Sequence, residues 1–259
     1  MNRKAVLIAA CTLAAVLAAC STDSTGRVTL ALSSMRAASP AASAGFTPAG
    51  TPSVVTAGDS TVIALGNDTI VLRSVEVVLR QVELKRVEAA ECDSVETNDD
   101  CEEFETGATL ATLPLGTTAT ETVVSVNAPA GMYDKLQFEI HKAEASEVPG
   151  FDGVSIRVTG TFSHGGTRSD FTYTSDLNAE QEIELSPPLT VSDGQAASVT
   201  LRIDVANWFL DAGGTALVDP ASANKGQPNE NVVRDRIEAS IDAFRDDDHD
   251  GHDDDSEHS

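Results

Sequence analysis

From Thr69 to Val87 the chain runs without a Gly or Pro and is rich in β-branched residues. Its apolar positions recur every second residue, a period that places them on one face of a strand. The apolar set is first odd-numbered (Val71, Val75, Val77, Leu79) and then even-numbered (Val78, Val82, Leu84). A slip of one residue turns the buried face outward, so the phase change predicts a bulge or break near Leu79 and Arg80. A segment of this kind needs partners on both edges, which commits the chain to a β fold.

Shorter runs supply those partners. Thr61 to Leu65 ends at the turn sequence Gly66-Asn67-Asp68. Thr122 to Val126 and Lys135 to Lys142 flank Pro129-Ala130-Gly131. In the second run Leu136, Phe138 and Ile140 face one way, and Lys135, Gln137, Glu139 and His141 face the other, which puts His141 on a solvated face. Val154 to Phe162 and Asp170 to Thr174 read as a hairpin around Ser163-His164-Gly165-Gly166, with His164 exposed at the turn. Glu182 to Leu185 and Val199 to Val205 complete the series. The period changes after Asn229. Val233, Ile237, Ile241 and Phe244 form a narrow helical stripe with Asn229 as N-cap, although Ile237, Ala239, Ile241 and Ala243 also alternate as a strand would. The expected fold is mainly β, an antiparallel β-sandwich of about eight strands with one C-terminal helix at about 230–244.

The N-terminus carries an address. Arg3 and Lys4 precede an apolar run, Ala5 to Val16, that is too short to span a hydrocarbon core of about 30 Å. Residues 1–19 therefore read as a signal peptide. The sequence Leu17-Ala18-Ala19-Cys20 resembles the lipobox of bacterial lipoproteins. That resemblance implies cleavage before Cys20 and lipid on its sulfur, and with Ser21 in place of Asp it points to the outer membrane, at its periplasmic face or at the cell surface. Acyl chains contribute about 0.8 kcal/mol per buried methylene, so such an anchor is stable. Residues 20–60 then read as the lipidated Cys and a Ser/Ala/Pro-rich tether with one strand-like stretch at 27–33, followed by the sandwich at 61–245 and an acidic Asp/His tail at 246–259. In an exported protein, the pair Cys92 and Cys101 is expected to form a disulfide across a short acidic loop.

Charge excludes one class of partner. With 41 acidic against 17 basic residues the net charge is −24, and phosphate neutralisation needs the opposite surplus, so no nucleic acid is expected. Cleavage would remove Arg3 and Lys4 and no acid, leaving a still more acidic chain that anionic membrane surfaces repel. Membrane attachment then rests on lipid. The expected ligand is an unidentified envelope or extracellular one, and the oligomeric state is open.

The tail holds the motif with the most chemistry. Asp246, Asp248, Asp250, Gly251 and Glu257 match the EF-hand loop pattern, in which alternate carboxylates, a Gly at the bend and a final bidentate Glu surround one Ca²⁺. In that register His252 offers its backbone carbonyl, Asp254 ligates directly or through water, and the helix ending near Phe244 is the entering element. The match departs from the pattern at Asp253, where an apolar residue is usual, and the chain has no second helix after Glu257. Three readings stand side by side: a weak Ca²⁺ site, a solubilising acidic tail, and looser capture of a transition metal such as Zn²⁺ by His249, His252 and His258.

No GxSxG, HExxH, phosphate-cradling Gly-rich loop or dinucleotide fingerprint occurs. Aromatic residues make up 4% of the chain, too few for broad sugar-binding platforms. The leading expectation is a non-catalytic binding or structural module. A divalent-cation binder and an envelope hydrolase are the alternatives. Val75-Glu-Val-Val-Leu-Arg-Gln-Val-Glu-Leu-Lys-Arg86, followed by Pro129-Ala-Gly-Met-Tyr-Asp-Lys-Leu-Gln-Phe-Glu-Ile140, resembles a bacterial lipoprotein family known only as a domain of unknown function. The resemblance covers residues 26–145. It implies an envelope location and a β-sandwich, and it carries no catalytic residues across.

Overall fold

The computed structural model describes residues 25–34, 51–87, 106–116 and 120–246. Within them the chain is mainly β, two sheets facing one another as a sandwich, with one α-helix. The larger sheet runs β10 (Ala179–Val191), β7 (Gly131–Ile140), β4 (Asp68–Arg86), β3 (Ser60–Leu65) and β2 (Ser53–Ala57). Onto β4 are added β5 (Thr109–Thr112) and β8 (Ile156–His164), with β9 (Thr167–Ser175) outside β8. The smaller sheet has the order β12 (Ile241–Arg245), β11 (Ala196–Ile203), β1 (Thr25–Ser34) and β6 (Glu121–Pro129). All pairs are antiparallel except β1 with β11. Between the sheets lie Leu30, Leu32, Leu201 and Ile203 from the smaller one and Ile70, Leu72, Val75, Leu136 and Phe138 from the larger, all nearly solvent-free.

The longest strand, β4, turns its buried face twice. Ile70 and Leu72 point into the core, then Val75, Val77 and Leu79, then Val82 and Leu84. Each change coincides with a register shift, between Leu72 and Ser74 against β8 and between Arg80 and Glu83 against β7. The second is the predicted bulge, and the first corrects the expected odd phase at Val71. At the second bulge Gln81 adopts φ 51°, the left-handed conformation in which a residue absorbs the extra step. Val78 is buried for a different reason. It faces away from the main core, under a second small cluster of Ala143, Val148 and Phe151 from the segment after β7.

Four expectations are corrected. The helix α1 covers Glu230–Glu238, not about 230–244; Val233 and Ile237 fix its buried stripe, and the chain turns at Ala239 and Ser240 into β12. The edge of β11 accounts for that switch, since Ile241, Ala243 and Arg245 sit in register with Ile203, Leu201 and Val199. The expected tether is shorter than 20–60, because residues 51–60 belong to the fold through β2 and the start of β3, while the strand expected at 27–33 is present as β1, inside its sheet. The described residues hold twelve strands where about eight were expected, chiefly through β2, β5 and β12. Finally, His141 is 5% exposed, because residues 142–155 fold back over the face to which it points.

A polar cleft at the strand break

The second bulge of β4 positions a cleft. Gln81 donates its N–H to the Thr106 carbonyl at 2.9 Å, which fixes the extra residue, and the chain resumes with Val82 and Leu84 in the core. Just before the break, Arg80 faces away from the core and lies directly across from Glu139 of β7. Its Nε and Nη2 donate to Glu139 Oε2 at 2.9 and 2.6 Å. On the far side of β7, Glu180 of β10 stands in register with Glu139. Asn178, just before β10, donates from Nδ2 to Glu139 Oε1 at 2.6 Å and accepts the Lys142 N–H through Oδ1 at 3.1 Å. Gln137 donates its side-chain amide to Glu180. These groups, with Gln81 and Phe138, line a cleft of about 380 Å³.

Glu139 is the hub. Its side chain is 11% exposed and both its oxygens accept charge-assisted bonds, one from a guanidinium and one from an amide. Behind it lies His141, whose Nε2 is 2.8 Å from Glu147 Oε2 and whose Nδ1 is 3.7 Å from Glu139 Oε2. Glu147 is fixed in turn by the Glu144 N–H at 2.7 Å. That backbone bond first, and then His141, hold the Glu147 carboxyl below its usual range. Further along the same face, Glu182 receives Lys135 at 3.0 Å and Lys85 at 3.3 Å, which hold its carboxyl below the usual range in the same order. The outer face of β10, β7 and β4 is therefore a charge-matched layer in which the cleft is a gap.

Chemically the lining offers recognition. Glu139 has committed both oxygens, so it serves as a fixed counter-charge for Arg80. The Gln81 amide, the second oxygen of Glu180 and the amide oxygen of Gln137 remain to meet a ligand, and none of the described lining residues carries a hydroxyl or thiol.

Of the site residues expected from the sequence, one is described, Asp246, and it is not among the residues lining the cleft. Cys20, Cys92, Cys101, Asp248, Asp250, His252, Asp254 and Glu257 fall outside the described residues. Asp246 is described and is 0% exposed: its Oδ2 accepts the Thr200 hydroxyl at 2.6 Å, and its N–H reaches the Ser198 carbonyl at 3.3 Å. The element entering the tail is thus the strand β12, which corrects the expected helix. Among the described residues no three His, Cys, Asp or Glu side chains gather as a metal site, and no helix is long and apolar enough to cross a membrane. The cleft residues went unselected by sequence reasoning, although the break at Arg80 and the polar face of β7 both pointed to this place.

Fold and cleft together define a two-sheet β protein with a polar cleft on the outer face of its larger sheet. No family model matches the chain, and no curated protein matches it. Among solved structures it is similar to MbnP from Methylosinus trichosporium at 14% identity and a TM-score of 0.30, over 85% of this chain and 98% of that one. A likeness at that level carries no function across.

Proposed function

We propose that this chain is an exported, lipid-anchored β-sandwich of the outer membrane that works as a non-catalytic binding module, with the cleft at the β4 bulge as its site for a small polar ligand. The observation that carries this reading is the hub at Glu139. Arg80, at the end of a paired stretch of β4, and Asn178, just before β10, hold it from opposite sides, so the cleft is set before any ligand arrives and binding costs little ordering. Thermal-shift screening of the mature chain against small polar solutes tests it. A stabilising solute whose effect disappears in Gln81→Ala and Glu180→Gln supports the assignment, and a hit indifferent to both removes it. Palmitate labelling tests the anchor and should be lost in Cys20→Ala.

A weak Ca²⁺ site in the tail is the second reading. The spacing of Asp248, Asp250, Gly251 and Glu257 supports it, with Asp246 already engaged by Thr200. Calorimetry with Ca²⁺ and Zn²⁺ on the full chain and on a chain ending at Arg245 separates this reading from the cleft.

A further inference from the structure

At the far end of β4 a second pocket has a different character. The β8–β9 hairpin turns on Gly165 and Gly166, both at positive φ, and this sets His164 opposite Thr167 and Phe162 opposite Ser169 on one face. The Phe162 and His164 rings stack at 6.0 Å between centroids and 19° between planes. His164 is 71% exposed at its side chain yet fixed in orientation, because Asp68 at the start of β4 accepts from Nδ1 at 2.9 Å. The opposite wall is Leu217 and Asp219, from a segment tied to the core by Val218 N–H on the Phe209 carbonyl at 2.8 Å. The cavity between them is about 440 Å³.

We propose that this pocket is a second binding site, for a neutral sugar ring. Its floor is apolar, formed by Phe162, Leu217 and the ring of His164, which suits the C–H face of a pyranose. Its rim is polar. Neither Thr167 nor Ser169 hydrogen-bonds another described residue through its hydroxyl, and His164 Nε2 is open because Asp68 has taken the other nitrogen. Asp219 accepts the Ala221 N–H with Oδ1 at 2.9 Å, which leaves Oδ2 to receive a pair of neighbouring hydroxyls. Groups that both donate and accept, set around an apolar floor, match a polyol better than an ion. The chain's scarcity of aromatic residues is no obstacle here, since one Phe and one His make the platform.

Saturation-transfer NMR and calorimetry on the mature chain test the proposal, with methyl α-glucoside, methyl α-galactoside, N-acetylglucosamine and cellobiose as probes. Dissociation constants on the order of 1 mM are expected for at least one probe, with transfer strongest to ring C–H protons. His164→Ala and Asp219→Asn should each weaken it by roughly tenfold, the latter keeping the oxygen that Ala221 needs, while Gln81→Ala in the other cleft leaves it unchanged. The proposal is overturned if no probe receives transfer, if binding survives both pocket variants in chains whose melting is unaltered, or if only amines and other cations bind there.

Discussion

Glu139 offers a quantitative test of the cleft. Three charge-assisted bonds reach its carboxylate, at 2.9 and 2.6 Å from Arg80 and 2.6 Å from Asn178, in a position 11% exposed. Glu139→Ala removes all three at once. A bond to a charged group contributes about 1.5–3 kcal/mol in isolation, but Arg80 is 32% exposed and recovers water on that side, so the whole loss should be about 2–3 kcal/mol. Glu139→Gln keeps the volume and one acceptor oxygen and should lose about 1 kcal/mol less. The coupling between Arg80 and Glu139, taken from Arg80→Ala, Glu139→Ala and the double variant, should be about 1–2 kcal/mol. The same cycle on Arg73 and Asp170, whose side chains are 50% and 79% exposed, should give no measurable coupling. Urea unfolding followed by the fluorescence of Trp208, fully buried and the chain's single tryptophan, reads all of these. A coupling at Arg80–Glu139 no larger than that at Arg73–Asp170 would refute the hub, and with it the claim that the cleft is set in advance.

Gly160→Ala should destabilise by about 2–3 kcal/mol in the same assay, because a Cβ there runs into the Val71 carbonyl and the Phe171 ring; a neutral result would mean that the first break of β4 is misplaced. Gln81→Val should cost more than about 1 kcal/mol and Gln81→Gly should not, since a β-branched residue resists the φ of 51° that glycine adopts freely. Asp176 is held below the usual carboxyl range first by its bond from Lys225 and then by Arg234, against opposing burial. A carboxyl lowered on folding contributes stability above its unfolded value of about 4 and loses it as pH falls, so Asp176→Asn should lower stability at neutral pH and flatten the acid limb of a urea-midpoint profile. Asp246→Ala should lose about 1–3 kcal/mol equally in EDTA and in Ca²⁺, because Thr200 loses its partner either way; a loss confined to Ca²⁺ would make Asp246 a metal ligand.

The strands were legible wherever one face is buried and the other wet. In β7 and β11 the apolar residues alternate, Leu136, Phe138 and Ile140 in one and Val199, Leu201 and Ile203 in the other, although both faces are partly covered, and the bulge of β4 announced itself through the phase change it causes. The break near Arg73 left no such mark, because Arg73 and Ser74 are polar on either phase and Val71 imitates the phase that follows. Residues 51–60 hid a strand behind linker composition, Ser, Thr, Ala and Pro, with Val54 alone of β2 buried. After Asn229 two periods overlapped. Ile237 and Ile241 satisfy both a helix and a strand, and the free edge of β11, invisible in local sequence, decided where one gave way to the other.

The site was less legible, and His141 shows why. The alternation along β7 correctly placed it on the polar face with Gln137 and Glu139, yet a polar face need not be a wet one. Residues 142–155 return over that face through the Ala143, Val148 and Phe151 cluster and through Arg157, which lies 4.0 Å from the Phe151 ring centroid. Covered in this way, His141 pairs with Glu147 at 2.8 Å and Glu139 with Arg80 and Asn178, because a buried polar group without a partner costs on the order of 1–3 kcal/mol. Periodicity says which side of a sheet a residue takes. Whether that side meets water depends on what else folds onto it, and here the return of one loop turns a row of surface charges into the ordered wall of a cleft.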